Sequence, residues 1–359
     1  MTPHPHEPRG TAQRRRADDV GAVVAVVIPC YKVREHVLDV IAGIGPEVQR
    51  IYAVDDACPH GSGRHIEQHC GDARVRVLLQ ERNEGVGGAV LAGYAAALAD
   101  GADILVKIDG DGQMPPALIA RFVAPIEAGE ADYTKGNRFY DLANVRRMPT
   151  VRIVGNVALS FISKLSTGYW RNFDPTNGFT AIHAEVARRL PFERISRRYF
   201  FETDMLFRLN TVQAAVVDVP MDPVYGDEVS GLRIRAILPE FVLKHARNTV
   251  KRVFYNYFLR DLSLASIELV AGALLAVGGA AYGLWRWRES AALGVETPAG
   301  AVMLAALPVI LGIQLILAFF AHDIAAAPSR AIHPSLARRR REAARFTPLV
   351  RLREPVTTE

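Results

Sequence analysis

The chain has 359 residues, is 50% hydrophobic and carries a formal net charge of +5. That length allows one large domain with an appendage, and three cysteines without ligand spacing exclude a zinc framework or a disulfide scaffold. The basic excess comes without an aromatic-basic surface pattern, so anionic lipid is the expected partner and nucleic acid is not.

Residues 1–21 are polar, include Arg14, Arg15 and Arg16, and lack an apolar core, so they read as a disordered leader and not a signal peptide. Val23 to Pro29 predicts a buried strand closed by the proline. Val33 to Ile44 has helical spacing and ends near Gly45-Pro46. Arg50 to Val54 predicts a second strand that finishes at Asp55-Asp56. Arg64 to His69 reads as a helix and Arg74 to Leu79 as a third strand. Asn83-Glu84-Gly85-Val86-Gly87-Gly88 opens an alanine-rich helix to Ala99, and Ile104 to Ile108 predicts a fourth strand. Strands alternating with helices imply a mostly parallel sheet, whose ligands bind beyond the carboxyl ends of its strands. Tyr31-Lys32, Asp55-Asp56 and Asp109 to Gln113 all fall at such ends.

Asp109-Gly110-Asp111 places two carboxylates one glycine apart at a strand end. That is a compact site for a hard divalent cation with positions left open for substrate phosphates. The same residues also suit an ordinary turn. An EF-hand is excluded, because Met114 stands where its glycine belongs and no glutamate occupies the twelfth position. Gly85 to Val90 lacks the third glycine of a dinucleotide fingerprint and follows the third strand, and no GxxxxGK[ST] loop exists.

The C-terminal third changes character. Leu238 to Phe258 is amphipathic, with Val242, Ala246, Val250, Val253 and Tyr257 on one helical face and Lys244, Arg247 and Lys251 on another. That pattern predicts a helix lying on a membrane surface; the alternative is an ordinary surface helix. Leu262 to Trp285 and Ala299 to Ala321 each have the roughly 20 apolar residues of a transmembrane helix; the alternative is a pair of buried core helices. Arg286 to Pro298 forms the expected loop between them. Basic residues before the first span and Arg338 to Arg341 after the second outnumber Arg286 and Arg288 in that loop. The positive-inside rule therefore places the N-terminal domain and the tail together in the cytoplasm, on a multi-pass protein of the inner membrane.

Five motifs occur in order: Val27-Ile28-Pro29-Cys30-Tyr31, Val54-Asp55-Asp56-Ala57-Cys58, Asn83-Glu84-Gly85-Val86-Gly87, Asp109 to Pro115, and Asp174-Pro175-Thr176-Asn177-Gly178-Phe179. Together they resemble the family 2 glycosyltransferases of the GT-A fold, within them the dolichyl-phosphate mannose synthase and polyprenyl-phosphate glycosyltransferase branch. The resemblance covers about residues 22 to 235. It implies an α/β GT-A domain with a mostly parallel sheet flanked by helices. Residues 236–261 would then be juxtamembrane helix, 262–322 a two-helix transmembrane hairpin and 323–359 a basic tail.

The resemblance also implies roles by position. Pro29, Tyr31 and Asp56 would line the nucleotide, with Asp55 and Lys107 nearby. Tyr31-Lys32-Val33 departs from the family's Tyr-Asn-Glu, and Glu35 is the substitute for the missing carboxylate. Asp109 and Asp111 would carry Mg2+ or Mn2+ and the diphosphate, with Gln113 completing the metal shell. Arg138, and less directly Arg152, would meet the transferred sugar and the acceptor phosphate. Asp174, Asn177, Glu202 and Asp204 are candidate acceptor-site residues. The expected reaction is inverting transfer from a UDP- or GDP-hexose to a polyprenyl phosphate, supplying lipid-linked sugar for envelope glycans or glycoconjugates. Transfer to a hydroxyl, with Glu202 or Asp204 as base, is one alternative. A non-catalytic nucleotide-sugar-binding membrane subunit is another. No Gln-x-x-Arg-Trp motif of the processive synthases is present, and a homo-oligomer through the helices is compatible with the pattern.

Overall fold

Alternation along the apolar strands divides the core in two, because successive side chains point to opposite faces of a sheet. In the computed structural model, which describes residues 21–140, 150–222 and 234–346, β1 (Val24–Cys30) is buried along its whole length. Its Ala25 and Val27 join one apolar cluster, and its Val24, Val26 and Ile28 join the other. The expected leader lies outside the described residues, apart from Gly21.

β1 pairs in parallel with β2 (Arg50–Asp55) and with β4 (Ile104–Lys107), and β2 pairs in parallel with β3 (Val75–Leu79). β5 (Tyr133–Asn137), β6 (Thr180–His183) and β7 (Val216–Pro220) complete a seven-stranded sheet in the order β3-β2-β1-β4-β6-β5-β7. β6 runs antiparallel to both its neighbours, and the remaining pairs are parallel. The mostly parallel sheet expected from the sequence is therefore present.

Helices α1 (Val37–Ala42), α2 (Ser62–His69), α3 (Val86–Ala99) and α4 (Ile119–Glu127) link these strands. α3 approaches β1 closely because position 93 is glycine. A Cβ there would stand 2.3 Å from Val27 Cγ1. After β5 come α5 (Thr150–Thr167), the single turn α6 (Ala184–Ala187) and α7 (Phe201–Thr211).

α8 (Ile234–Phe254) follows β7 and is amphipathic in the opposite sense from a soluble helix. His245, Asn248 and Arg252 are its buried side chains, whereas Leu238, Val242, Val250 and Phe254 are exposed. α5 repeats the inversion: Ser160, Ser163 and Thr167 face inward, and Val154, Val157 and Phe161 face outward. The two polar faces meet, with Ser166 Oγ and His245 Nδ1 2.8 Å apart. A π-helical segment, Tyr255–Arg260, then shifts the helical phase. Tyr257 therefore turns inward, although its spacing in the sequence grouped it with the exposed Val242 and Val250.

α9 (Leu264–Leu293) and α10 (Ala299–Ala325) form an antiparallel pair, each long and apolar enough to cross a membrane. The first helix is longer than its apolar stretch. It continues through Arg286 and Arg288 to Leu293, so the expected loop from Arg286 shrinks to the few residues Gly294–Pro298. An apolar run of about 20 residues already matches about 30 Å of hydrocarbon. The extra turns carry Trp285, Trp287 and the arginines, residues suited to the headgroup layer. α11 (His333–Phe346) returns to the sheet domain, where Leu336 joins the core.

Replacing Gly93 with Ala should push α3 off β1 and cost about 2 kcal/mol, the usual scale of overpacking, read as a lower thermal midpoint in detergent. A second outcome concerns pH. Burial depresses His245 from its ordinary 6.5 to about 4, and burial with the neighbouring His333 brings His183 to about 4. Both are neutral in the folded protein at pH 7, whereas the unfolded chain takes up protons below about 6.5. Stability should fall as pH drops from 6.5 toward 4, and His245→Gln should shrink the difference between midpoints at pH 7.5 and pH 5.

Candidate active site

The carboxyl end of β4 carries the most concentrated charge in the sheet. Lys107, only 1% exposed, turns its ammonium inward to Asp109 Oδ1 at 2.8 Å, Glu202 Oε1 at 3.5 Å and the Gly178 carbonyl at 3.0 Å. Expected beside the nucleotide from the sequence, it pairs here with the carboxylates of the acidic cluster. A buried ammonium requires such partners, since an isolated one is strongly disfavoured in a low-dielectric interior. The two carboxylates hold Lys107 above its usual value against the opposing effect of burial. Burial, with the Asp109 charge nearby, raises Glu202, and Lys107 opposes that rise.

Asp109 side-chain exposure is 28%, so this carboxylate reaches the surface at the strand end while Lys107 fixes its inner oxygen. The next turn is set locally. Asp111 Oδ1 accepts the Gln113 amide at 3.0 Å, and Gly112 supplies a φ of +79°. Gln113 is thereby placed beside the acidic pair. Gly178 closes the other side; a Cβ there would lie 2.5 Å from Lys107 Nζ and 2.6 Å from Asp109 Oδ2, so no larger residue fits without displacement.

Gly178 belongs to the loop that joins this cluster to Arg138. Arg138, at the end of β5, grips Asp174 with two parallel bonds, Nε to Oδ2 at 2.7 Å and Nη2 to Oδ1 at 2.8 Å. Burial would raise Asp174, but Arg138 and Lys135 outweigh it and hold the carboxyl below its ordinary value. Asp174 adopts φ +53°, a conformation that aspartate tolerates better than most residues. Asn177 donates to Asp174 at 3.2 Å and accepts the Phe179 amide at 3.0 Å. Asp109, Glu202, Gly178, Asn177, Asp174 and Arg138 thus form one continuous set.

Other expected residues are placed differently. Asp55 accepts the Cys58 and Gly63 amides at 2.6 and 2.5 Å, and Asp56 accepts the Glu84 and Gly85 amides at 2.7 and 2.8 Å. Both carboxylates therefore organise the loops around the expected nucleotide position. Burial raises Asp56, and these amides oppose the rise. Pro29 is built into β1, Tyr31 is 44% exposed just beyond it, and Glu35 is exposed in the turn before α1. Asp204 points away from the acidic cluster, accepting the Ser196 amide at 2.9 Å and Asn248 Nδ2 at 3.1 Å, and so fastens α7 to α8. Arg152 lies on α5, but its side chain is outside the described residues.

Two supporting residues escape a reading of the sequence. Asp218 of β7 accepts Asn172 Nδ2 at 2.7 Å, the Phe173 amide at 2.8 Å and Asn137 Nδ2 at 3.0 Å. Lys135, 2% exposed, reaches the Phe173 carbonyl and lies 3.4 Å from Asp218. Together they fix the start of the Asp174 loop. A lysine and an aspartate inside short strands were the only available signals.

Among the described residues, no group of three His, Cys, Asp or Glu side chains is placed to hold a metal ion. The donor set at the strand end is two hard carboxylates, Asp109 and Asp111. Such a set fits a hard cation that takes its other ligands from substrate phosphates and water.

The profile described as Glycosyl transferase family 2 matches residues 25–191. An undecaprenyl-phosphate mannosyltransferase from Micrococcus luteus is 30% identical over 202 residues, covering 55% of this chain and 82% of that protein. A UDP-N-acetylglucosamine–dolichyl-phosphate N-acetylglucosaminyltransferase from Methanococcus voltae is 26% identical over 219 residues, covering 57% and 87%. Among solved structures, glucosyl-3-phosphoglycerate synthase from Mycobacterium tuberculosis in complex with UDP superposes with a TM-score of 0.51 at 19% identity, covering 68% of this chain and 86% of that one. That likeness bears on the fold.

Lys107→Met would leave Asp109 and the more enclosed Glu202 as neighbouring carboxylates without their cation. It should cost about 3 kcal/mol or more, whereas Glu202→Gln, which removes one of the two charges, should cost less. Thermal unfolding of the two variants in the same detergent ranks them.

Proposed function

This chain belongs to glycosyl transferase family 2, and we propose that it transfers a monosaccharide from a UDP- or GDP-sugar to a polyprenyl phosphate at the membrane surface, inverting the anomeric carbon. The observation that carries the acceptor assignment is the inside-out pair α5 and α8. Their hydroxyl, imidazole, amide and guanidinium groups are buried against the domain, and Val154, Val157, Phe161, Val242, Val250 and Phe254 are exposed. Outward apolar side chains next to a membrane hairpin fit the acyl boundary of a bilayer. Asp204 ties α8 to α7, the same helix that supplies Glu202, so the lipid-facing surface is mechanically joined to the acidic cluster. The names of the M. luteus and M. voltae relatives carry polyprenyl-phosphate acceptors.

Asp109 and Asp111 would hold Mg2+ or Mn2+, which supplies charge stabilisation to the departing nucleoside diphosphate. Lys107 fixes the Asp109 rotamer, and the Asp55 and Asp56 loops shape the nucleotide end beside Tyr31. The incoming phosphate is already anionic near pH 7 and needs no base. It does need a cation on its path. Arg138 suits that role because a guanidinium forks onto phosphate oxygens as it does onto Asp174, with Arg152 as a second candidate. Asn177 and Asp174 would then set the Arg138 orientation. Transfer to a hydroxyl is the competing reading, favoured by the raised Glu202 carboxyl in this cluster. The charge asymmetry across the spans supports a cytoplasmic catalytic domain and tail at the inner membrane.

Membranes containing the protein, given labelled sugar nucleotides and undecaprenyl phosphate, should yield a lipid-extractable product. Mild acid should release its sugar, as expected of a glycosyl phosphate; an acid-stable product would establish hydroxyl transfer instead. Asp111→Ala should reduce transfer by at least about 100-fold. Full activity in excess chelator would contradict the metal assignment.

A further inference from the structure

Two buried aspartates fasten the C-terminal end of the hairpin's second helix and the chain beyond it to the catalytic domain. Asp323, in the last turns of α10, is 3% exposed. It accepts Arg252 Nη1 at 2.6 Å and Nη2 at 2.9 Å, Tyr257 Oη at 2.7 Å and Trp170 Nε1 at 2.8 Å. Arg252 also donates from Nε to the Leu165 carbonyl at 3.2 Å, so α5, α8, the π-helical segment and α10 meet in one polar knot. The second attachment is at the start of β5. Asp132, at the entrance to β5, is 0% exposed and accepts the Ala215 amide at 2.8 Å. Its other donors come from beyond the hairpin: the Ile332 amide at 2.9 Å, the His333 amide at 2.8 Å and His333 Nδ1 at 2.9 Å.

Packing reinforces this second attachment. The His333 ring stacks on His183 with centroids 4.1 Å apart, Leu336 enters the core around α3, and Arg340 pairs with Glu185 at 2.5 Å. Ile332 lies nine positions beyond Asp323, a length of chain that spans at most about 30 Å. A segment so short, anchored at both ends to buried carboxylates, leaves the domain little freedom to tilt against the hairpin.

We infer that the chain from Asp323 to Arg340 is a strap that fixes the catalytic domain's height and tilt on the bilayer, with Asp132, His333 and Asp323 as positioning residues for attack by a membrane-borne acceptor. This rests on the proposed lipid acceptor. Loss of registry should matter for an acceptor confined to the membrane plane and little for one that diffuses freely to the site. A misplacement on the order of 1 Å is enough to slow a reaction severely.

The full chain in nanodiscs provides the test. Hydrogen exchange of the unaltered protein should show the 329–340 peptide protected nearly as well as β5. His333→Phe, which keeps a stacking ring and removes the Nδ1 donor, should speed that exchange. It should also lower transfer to bilayer-embedded undecaprenyl phosphate by about tenfold while changing transfer to a water-soluble short-chain prenyl phosphate by less than about twofold. Exchange in 329–340 as fast as in a free peptide overturns the strap, whatever the enzyme's acceptor proves to be. Equal losses on the two acceptors overturn the positioning role. If the unaltered chain uses neither acceptor, the lipid-acceptor reading and the positioning role fail together, and the exchange data alone decide whether the strap exists.

Discussion

The Lys107 ammonium is the constraint on which the candidate active-site end of the sheet depends. It is charged and almost completely enclosed, so the fold must bring it anions, and these come from segments far apart in the chain. Asp109 follows on the same strand, Glu202 arrives on α7, and the Gly178 carbonyl arrives on the loop before β6. Removing any one of them leaves a buried charge short of partners, which is far more costly than losing a surface ion pair. The position of β6 between β4 and β5 brings that loop within reach. Arg138 on β5 then captures Asp174 on the same loop, so one ammonium indirectly sets the distance between the acidic and basic sides of the site.

The first half of the sheet was legible because its strands are apolar and bounded by helices with clear starts. β1 to β4 fall within a residue or two of their expected limits, and each polar cluster at their ends sits where the alternation of elements placed it. β5, β6 and β7 escaped for a physical reason. They are four or five residues long and bury Thr134, Lys135 and Thr180, and the first two bond to carbonyls brought in by the tertiary fold, those of Phe122 and Phe173. Such strands carry no alternating apolar signal. The acidic motif likewise revealed Asp109 and Asp111 but not the inward turn of Lys107, because the partners Gly178 and Glu202 lie 71 and 95 residues away.

Amphipathicity was visible in α8, yet its sense was not. A periodic pattern identifies two faces and leaves open which one meets the protein. Here the buried face is the polar one, since Asn248 finds Asp204, Arg252 finds Asp323 and His245 finds Ser166. α5 follows the same rule with serines and a threonine. Each helix is thereby bonded to the domain by specific hydrogen bonds, leaving its hydrophobic side chains exposed. This arrangement inverts the usual economy of a globular protein, in which specificity faces out and apolar area faces in.

Asp132 also imposes an order on biosynthesis. Its His333 donors are 201 residues downstream, on the far side of both apolar helices. At about 5–20 residues per second, a ribosome needs about 10–40 s to produce them. Throughout that interval the sheet can form around a carboxylate that lacks most of its eventual partners. The last bonds of the catalytic domain become available only after the hairpin has been synthesised and the chain has returned. Completion of the domain therefore waits on synthesis of the two long apolar helices, and a chain stalled before that point carries an unfinished domain.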